Sequence, residues 1–137
     1  KKATESGDYS SPEYQAAEAE YMRQHCAGEV TENDPECLRR PKKAGRESYV
    51  VGWGPNEFTP LGTLKDYDVI DQLGDIKEPA LIINGGNDLR TPYVAKFMYD
   101  RIPNSEWELF RTCRHMCFVE DNDHYVEVLK KWMNKND

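Results

Sequence analysis

The clearest hydrophobic pattern lies in the second half of the chain, where short apolar runs alternate with amphipathic segments. The run Ala80–Ile83 is β-rich and predicts a strand buried on both faces. Gly85 and Gly86 interrupt this pattern directly afterwards. Apolar residues at helical spacing over 91–102, with Pro92 suited to the first helical position, then predict a helix.

A second strand and a second helix follow in the same order. Ser105–Phe110 alternates apolar and acidic residues, which predicts a strand. Residues 111–120 are predicted to form a loop, and 121–135 has the apolar stripe of an amphipathic helix. The order strand–helix–strand–helix is typical of an α/β protein with a parallel sheet.

The first sixty residues have a different pattern, helical and rich in loops. A helix is predicted to begin at Pro12, after a serine cap, and to end near Cys26. This change predicts a helical portion over 1–60 and an α/β portion over 61–137. Residues 1–11 are predicted as a loose start, and a short helix is predicted from 34. Residues 42–51 are predicted as helix or extended chain, and 52–60 as an ordered loop that is either functional or a connector. A strand or turn followed by a short helix is predicted over 61–77.

The net charge of the chain argues against some classes of binding partner. The 137 residues carry a formal net charge of −7, with 25 acidic and 18 basic residues. An acidic chain argues against nucleic acid and against an anionic membrane surface as partners. No apolar run is long enough to span a membrane, and no signal-peptide pattern follows Lys1, so a cytoplasmic protein is expected.

The four cysteines predict neither a disulfide framework nor a metal centre. Cys26 and Cys37 are expected to stay reduced, although an oxidising setting would allow them to pair. Cys113 and Cys117 flank His115, but no second cluster of ligands accompanies them. We therefore expect no metal and no cofactor.

An acid and a histidine follow the two predicted strands. Asp88 lies just past the carboxyl end of the first strand, and His115 lies after the second. This position and this order suit the acid and the base of a hydrolytic triad. The spacing alone also fits a turn aspartate and a hydrogen-bonded loop histidine, which is the commoner case. His25 and His124 are expected to be solvated.

The third member of a triad is absent from the chain. No serine stands in a Gly-x-Ser-x-Gly motif or directly after a buried strand. The chain by itself is therefore not expected to hydrolyse anything. The five serines are Ser6, Ser10, Ser11, Ser48 and Ser105.

Several short motifs together resemble the proline iminopeptidases, which are serine aminopeptidases (serine proteases) with an α/β-hydrolase fold. The most specific motif is Gly-Pro-Asn-Glu-Phe at 54–58, and the resemblance covers essentially the whole chain. The other matching segments are 11–15, 62–68, 85–92, 113–116 and 120–121.

The resemblance implies the C-terminal part of an α/β-hydrolase fold preceded by a helical cap, or lid. It implies that Asp88 and His115 are triad members and that Glu57 on the cap binds the free α-amino group of a small peptide. It also implies that the nucleophilic serine and the oxyanion loop belong to an N-terminal half before Lys1. The expected reaction is release of N-terminal residues, with proline preferred.

One position departs from the family pattern. Many such peptidases carry a second acid directly after the triad aspartate, and Leu89 stands there in this chain. This leaves an amino-acid amidase, or an esterase or lactonase, as an alternative. A second alternative is a non-catalytic domain that binds a partner through an exposed sheet edge.

Overall fold

The computed structural model describes residues 2–41 and 45–137, apart from the side chain of Cys37, and divides into two compact units. The first unit comprises the described residues of Lys1–Glu20 and Glu29–Asp68. The second comprises Tyr21–Gly28 and Val69–Asp137. The domain boundary predicted near residue 60 stays a prediction.

Helices dominate the first unit. The loose start expected over 1–11 is wrong for Lys2–Ser6, which forms helix α1. Gly7 closes this helix with φ +70°, and its N–H donates to the carbonyl of Ala3 at 2.8 Å. Helix α2 runs over Pro12–His25, as its proline and its spacing predicted, and its last turn belongs to the second unit.

Two helices shorter than α2 follow in the described part of this unit. Helix α3, Glu36–Arg39, ends before Pro41, which cannot continue it. Helix α4 spans Arg46–Gly52. The segment predicted as helix or extended over 42–51 is therefore helical from Arg46, and its residues 42–44 lie outside the part of the chain that the structure describes.

The second unit has the predicted α/β order. A 3-10 helix over Ile70–Asp75 precedes strand β1, Ala80–Gly85, and helix α5, Pro92–Tyr99. Strand β2, Ser105–Phe110, pairs with β1 in parallel, and the register runs from Ala80 opposite Ser105 to Gly85 opposite Phe110. The chain ends in helices α6, Cys117–Glu120, and α7, Asn122–Asn136. Within 2–41 and 45–137, no helix is both long and apolar enough to cross a bilayer.

The burial of β1 differs from the prediction. A strand enclosed on both faces was expected, but Ala80–Ile83 are only partly buried, and Asn84 and Gly85 are buried. Among the described residues β1 pairs with β2 alone. Only the carboxyl end of the strand is enclosed, because the chain that follows β2 packs against it there.

A small apolar core anchors the chain that follows β2. Phe110 ends β2, Cys113 lies in the next turn and Cys117 opens α6, and each is at most 4% exposed. Because this core spans the segment around His115, it fixes the path of that segment. The partly buried side chains that pack against it are Ile83, Tyr125 and Val128.

Gly85 is predicted to tolerate no side chain. A Cβ atom there would lie 2.2 Å from the carbonyl oxygen of Arg114 and 2.4 Å from that of Cys113. Because both neighbours are backbone atoms, Gly85→Ala should lower the free energy of unfolding by about 1–3 kcal/mol. Urea unfolding measures this change. Gly74→Ala is the control, since its nearest contact would be 4.0 Å away, and equal urea midpoints for the two variants would contradict the prediction.

Candidate active site

Backbone hydrogen bonds join the residues that follow β1 to the end of β2 and to the turn after it. The N–H of Gly86 donates to the carbonyl of Phe110 at 2.8 Å, and the N–H of Asn87 donates to that of Cys113 at 3.0 Å. These bonds hold the loop that carries Asp88 against the loop that carries His115. Both loops lie at the carboxyl edge of the sheet, where open α/β sheets place their functional groups.

Asp88 and His115, the predicted acid and base, are in direct contact. Nδ1 of His115 lies 2.9 Å from Oδ1 of Asp88. The backbone N–H of Arg90 donates to the same oxygen at 2.7 Å, and the N–H of Gly85 lies 3.5 Å from Oδ2. The Asp88 side chain is 4% exposed and the His115 side chain 47%. The pair therefore joins a buried carboxylate to a half-exposed imidazole.

This arrangement determines which ring nitrogen of His115 can act as a base. A carboxylate oxygen accepts hydrogen bonds, so the protonated Nδ1 donates one to Asp88. In the neutral ring Nε2 is then the unprotonated nitrogen. A histidine held in this way can take a proton at Nε2 while the carboxylate stabilises the imidazolium that forms. The geometry suits general base chemistry, and the catalytic roles of both residues stay a prediction.

A charged pair that sequence reasoning missed fixes the residue before His115. Nε of Arg114 donates to Oε1 of Glu120 at 2.6 Å, and the backbone N–H of Arg114 donates to Oε2 at 2.7 Å. The two side chains are 28% and 19% exposed. The pair spans six residues outside a single helix, so the i,i+4 spacing that reveals helical ion pairs does not apply to it.

The last turn of α2 also reaches these loops, and the expectation of a solvated His25 is wrong. The carbonyl of His25 accepts from the N–H of Leu89 at 3.1 Å and from that of His115 at 3.0 Å. Nδ1 of His25 lies 2.9 Å from the carbonyl oxygen of Asn87. Carbonyls at a helix C-terminus lack partners within the helix, which was the only signal in the sequence, and it did not tell which segment would supply the donors.

Glu57, the predicted amine-binding residue, lies in the first unit, in the loop after α4. Its Oε2 accepts from the hydroxyl of Tyr49 at 3.0 Å, and its backbone carbonyl accepts from the indole N–H of Trp53 at 3.0 Å. Burial, together with the neighbouring Glu57 carboxylate, raises the pKa of Tyr49. Glu57 is a partly buried residue whose carboxylate accepts from a neutral donor, and its role in binding an amine stays a prediction.

The loop around Glu57 has a well-defined backbone. Gly54 has φ +150°, and a Cβ there would lie 2.1 Å from the carbonyl oxygen of Thr59. The buried side chain of Asn56 accepts from the N–H of Phe58 at 3.0 Å. The loop predicted as ordered over 52–60 is therefore ordered by close backbone packing and by one buried amide.

The two cysteines near His115 do not suit the role of nucleophile. Cys113 and Cys117 are free thiols, each 4% exposed. Burial, followed by the charges of Glu120 and Asp121, raises the pKa of Cys113. Burial, followed by the effects of Cys113 and Asp88, raises the pKa of Cys117. Buried, protonated thiols react poorly. In the described ranges, no group of three or more His, Cys, Asp or Glu side chains could hold a metal ion.

Several proteins have sequences similar to this chain, although no protein-family model matches it. It is 64% identical over 136 residues to the proline iminopeptidase of Clostridium botulinum, a match of 99% of this chain and 46% of that protein. By sequence, the chain is similar to the proline iminopeptidases. The proline iminopeptidase of Clostridioides difficile is 60% identical over 135 residues, again over 46% of its length. The chain thus spans about half the length of these relatives.

Solved structures give the same result for the fold. The crystal structure of the proline iminopeptidase of Mycobacterium smegmatis matches 98% of the chain with a TM-score of 0.78 and 28% identity, over 46% of that chain. In the matched α/β-hydrolase structures, this chain corresponds to the C-terminal part of the fold. The predicted fold class, an α/β chain that forms this part after a helical segment, is confirmed.

We predict that Cys113 and Cys117 resist alkylation in the folded protein. Iodoacetamide at about pH 8, near the ordinary thiol pKa, should leave both unmodified, because burial keeps them protonated and out of reach. Peptide mass spectrometry measures the modification at each cysteine. The same protein in urea is the control and should be modified at both. Equal labelling with and without urea would contradict the burial and the raised pKa values.

Proposed function

We propose that this chain forms the C-terminal part of a serine hydrolase of the proline iminopeptidase type, which releases N-terminal residues, proline preferred, from small peptides. The observation that carries the proposal is the 2.9 Å contact between Asp88 and His115 at the carboxyl edge of the sheet. The sequence relatives support the class of reaction, since both are proline iminopeptidases. No cofactor takes part in the proposed reaction.

The proposed mechanism assigns one task to each residue of the pair. A serine hydroxyl, supplied by an N-terminal half of the same hydrolase, attacks the carbonyl carbon of the substrate. His115 accepts the hydroxyl proton at Nε2 and later delivers it to the leaving amine. Asp88 keeps the other proton on Nδ1 and stabilises the imidazolium.

Two features of this chain support an N-terminal half as partner. The chain corresponds to 46% of the length of its relatives. In addition, Ala80–Ile83 of β1 are only partly buried, whereas strands inside a parallel sheet are ordinarily covered on both faces. An N-terminal half that added strands beside β1, with helices packed on the faces of the sheet, would cover them. We also propose a cytoplasmic location, in keeping with the free thiols of Cys113 and Cys117.

Glu57 is proposed to bind the α-amino group of the substrate. A carboxylate held by the hydroxyl of Tyr49 is a suitable counter-charge for an ammonium group, and it would fix which end of a peptide enters. Leu89 follows Asp88 where a second acid would strengthen that attraction. A single carboxylate should hold the amine less tightly, by about 1–3 kcal/mol. Leu89 therefore favours an amidase, or an esterase or lactonase, as the second candidate.

Removing either member of the acid–base pair should abolish turnover in the full-length protein. Asp88→Asn and His115→Ala should each lower kcat by about three to four orders of magnitude, because the proton at the serine hydroxyl then has no oriented acceptor. Steady-state kinetics with proline arylamides measure the effect, and circular dichroism checks the fold. Asp100→Asn, which changes an exposed acid paired with Lys96, is the control.

Labelling of the same full-length protein distinguishes a serine hydrolase from a non-catalytic binding domain. A serine-reactive fluorophosphonate should label the full-length protein in its N-terminal half. Near-normal rates in both active-site variants would refute the assigned roles. A protein that takes no fluorophosphonate label and turns over no substrate would instead favour the non-catalytic binding domain.

Glu57→Gln should discriminate between substrates with and without a free amine. Loss of the carboxylate charge should raise KM by about ten-fold or more for free aminoacyl substrates and leave N-acylated ones nearly unchanged, because only the ammonium loses its counter-charge. Parallel kinetics on the two substrates measure this difference. Glu47→Gln on α4 is the control, since Glu47 is exposed. An equal effect of Glu57→Gln on both substrates would exclude the amine role.

A further inference from the structure

We infer that His25 is a positioning residue for the Asp88–His115 pair. This inference rests on the proposed function, in which that pair moves the proton of a serine. His25 ends helix α2, 63 residues before Asp88 in the chain, and belongs to the same compact unit as the pair. Its backbone carbonyl contacts both loops, and its side chain contacts the acid loop.

The backbone of His25 joins the acid loop to the base loop. Its carbonyl oxygen accepts from the N–H of Leu89 at 3.1 Å and from the N–H of His115 at 3.0 Å. Leu89 directly follows Asp88, and His115 is the base itself. One acceptor therefore sets the separation of the two segments, because a displacement of either segment lengthens one of these bonds.

The side chain of His25 holds the acid loop from the other side of Asp88. Its Nδ1 lies 2.9 Å from the carbonyl oxygen of Asn87, which directly precedes Asp88. Since a carbonyl oxygen only accepts, Nδ1 is the protonated nitrogen and donates. The ring also packs on Tyr21 with centroids 4.6 Å apart. The residues on both sides of the acid are thus bonded to one histidine.

Neighbouring residues of the same turn bind the segment around His115. The carbonyl of Cys26 accepts from the N–H of Met116 at 3.2 Å. Nη1 of Arg114 donates to the carbonyl of Arg23 at 2.7 Å. The end of α2 therefore contacts the residues before and after the base as well as those before and after the acid. Among these contacts, only the bond from His25 Nδ1 to the acid loop comes from a side chain of this turn, so it is the one that substitution in the turn can test.

The test compares two amides at position 25 in the full-length protein. In His25→Asn the side-chain N–H group takes the place of Nδ1 and keeps the donor, whereas in His25→Gln it takes the place of Nε2 and moves away from Asn87. His25→Gln should lower kcat by about ten-fold or more with KM little changed, because small displacements of catalytic groups are costly. His25→Asn should stay within about three-fold of the parent kcat. A variant that changes only packing would not produce this order.

A second readout does not depend on turnover. The proton on Nδ1 of His115, bonded to Asp88, should give a far-downfield NMR resonance that is absent in His115→Ala. We expect His25→Asn to retain it and His25→Gln to broaden or shift it. His124→Ala is the matched control, since His124 belongs to the same unit and pairs with Glu108 rather than with either loop.

The outcomes separate this inference from the proposed function. Equal kcat values and unchanged resonances in His25→Asn and His25→Gln, with His115→Ala inactive, would overturn the positioning role alone. An active His115→Ala would overturn the proposed function, and the resonance would still decide whether His25 orients the pair. Selective loss in His25→Gln, of rate and of resonance, would support the positioning role.

Discussion

The close backbone approach between the ends of the two parallel strands is the constraint on which the candidate site depends. At Gly85 and Gly86 the chain passes so near to the segment after β2 that a Cβ atom at either position would lie 2.2 Å from a carbonyl oxygen. The absence of side chains lets the amides of Gly86 and Asn87 pair with that segment. Asp88 thereby meets His115, 27 residues away in sequence.

The pair combines burial on one side with exposure on the other. Asp88 is enclosed and bonded by a backbone N–H, so the fold itself fixes its orientation. His115 stays about half exposed, which leaves its ring accessible to a reacting group. Such pre-organisation is the usual way in which a protein orients a base without a cost at the moment of reaction. Arg114 bonds to Glu120 through its Nε and its backbone N–H, and these bonds fix the segment that carries His115 in the same way.

Much of this site could be predicted from the sequence, because the signals were local. A short apolar run, two glycines and a proline-opened helix located Asp88, and the alternation over Ser105–Phe110 located the strand before His115. The contributions of His25 and of the Arg114–Glu120 pair could not be predicted, since they depend on contacts between segments that no periodicity connects. The partial burial of β1 was also not predicted, because an apolar run identifies the residues of a strand but not the elements that cover its faces.

The shared acceptor at His25 has a consequence for local motion. The amides of Leu89 and His115 donate to one oxygen, and the Asn87 carbonyl is bonded to the ring of the same residue. A fluctuation that detaches the end of α2 therefore releases the acid segment and the base segment together. Local unfolding is cooperative over such connected groups. The end of α2 and the two loop segments thus belong to one opening unit, in which the acid segment and the base segment lose their contacts with α2 together.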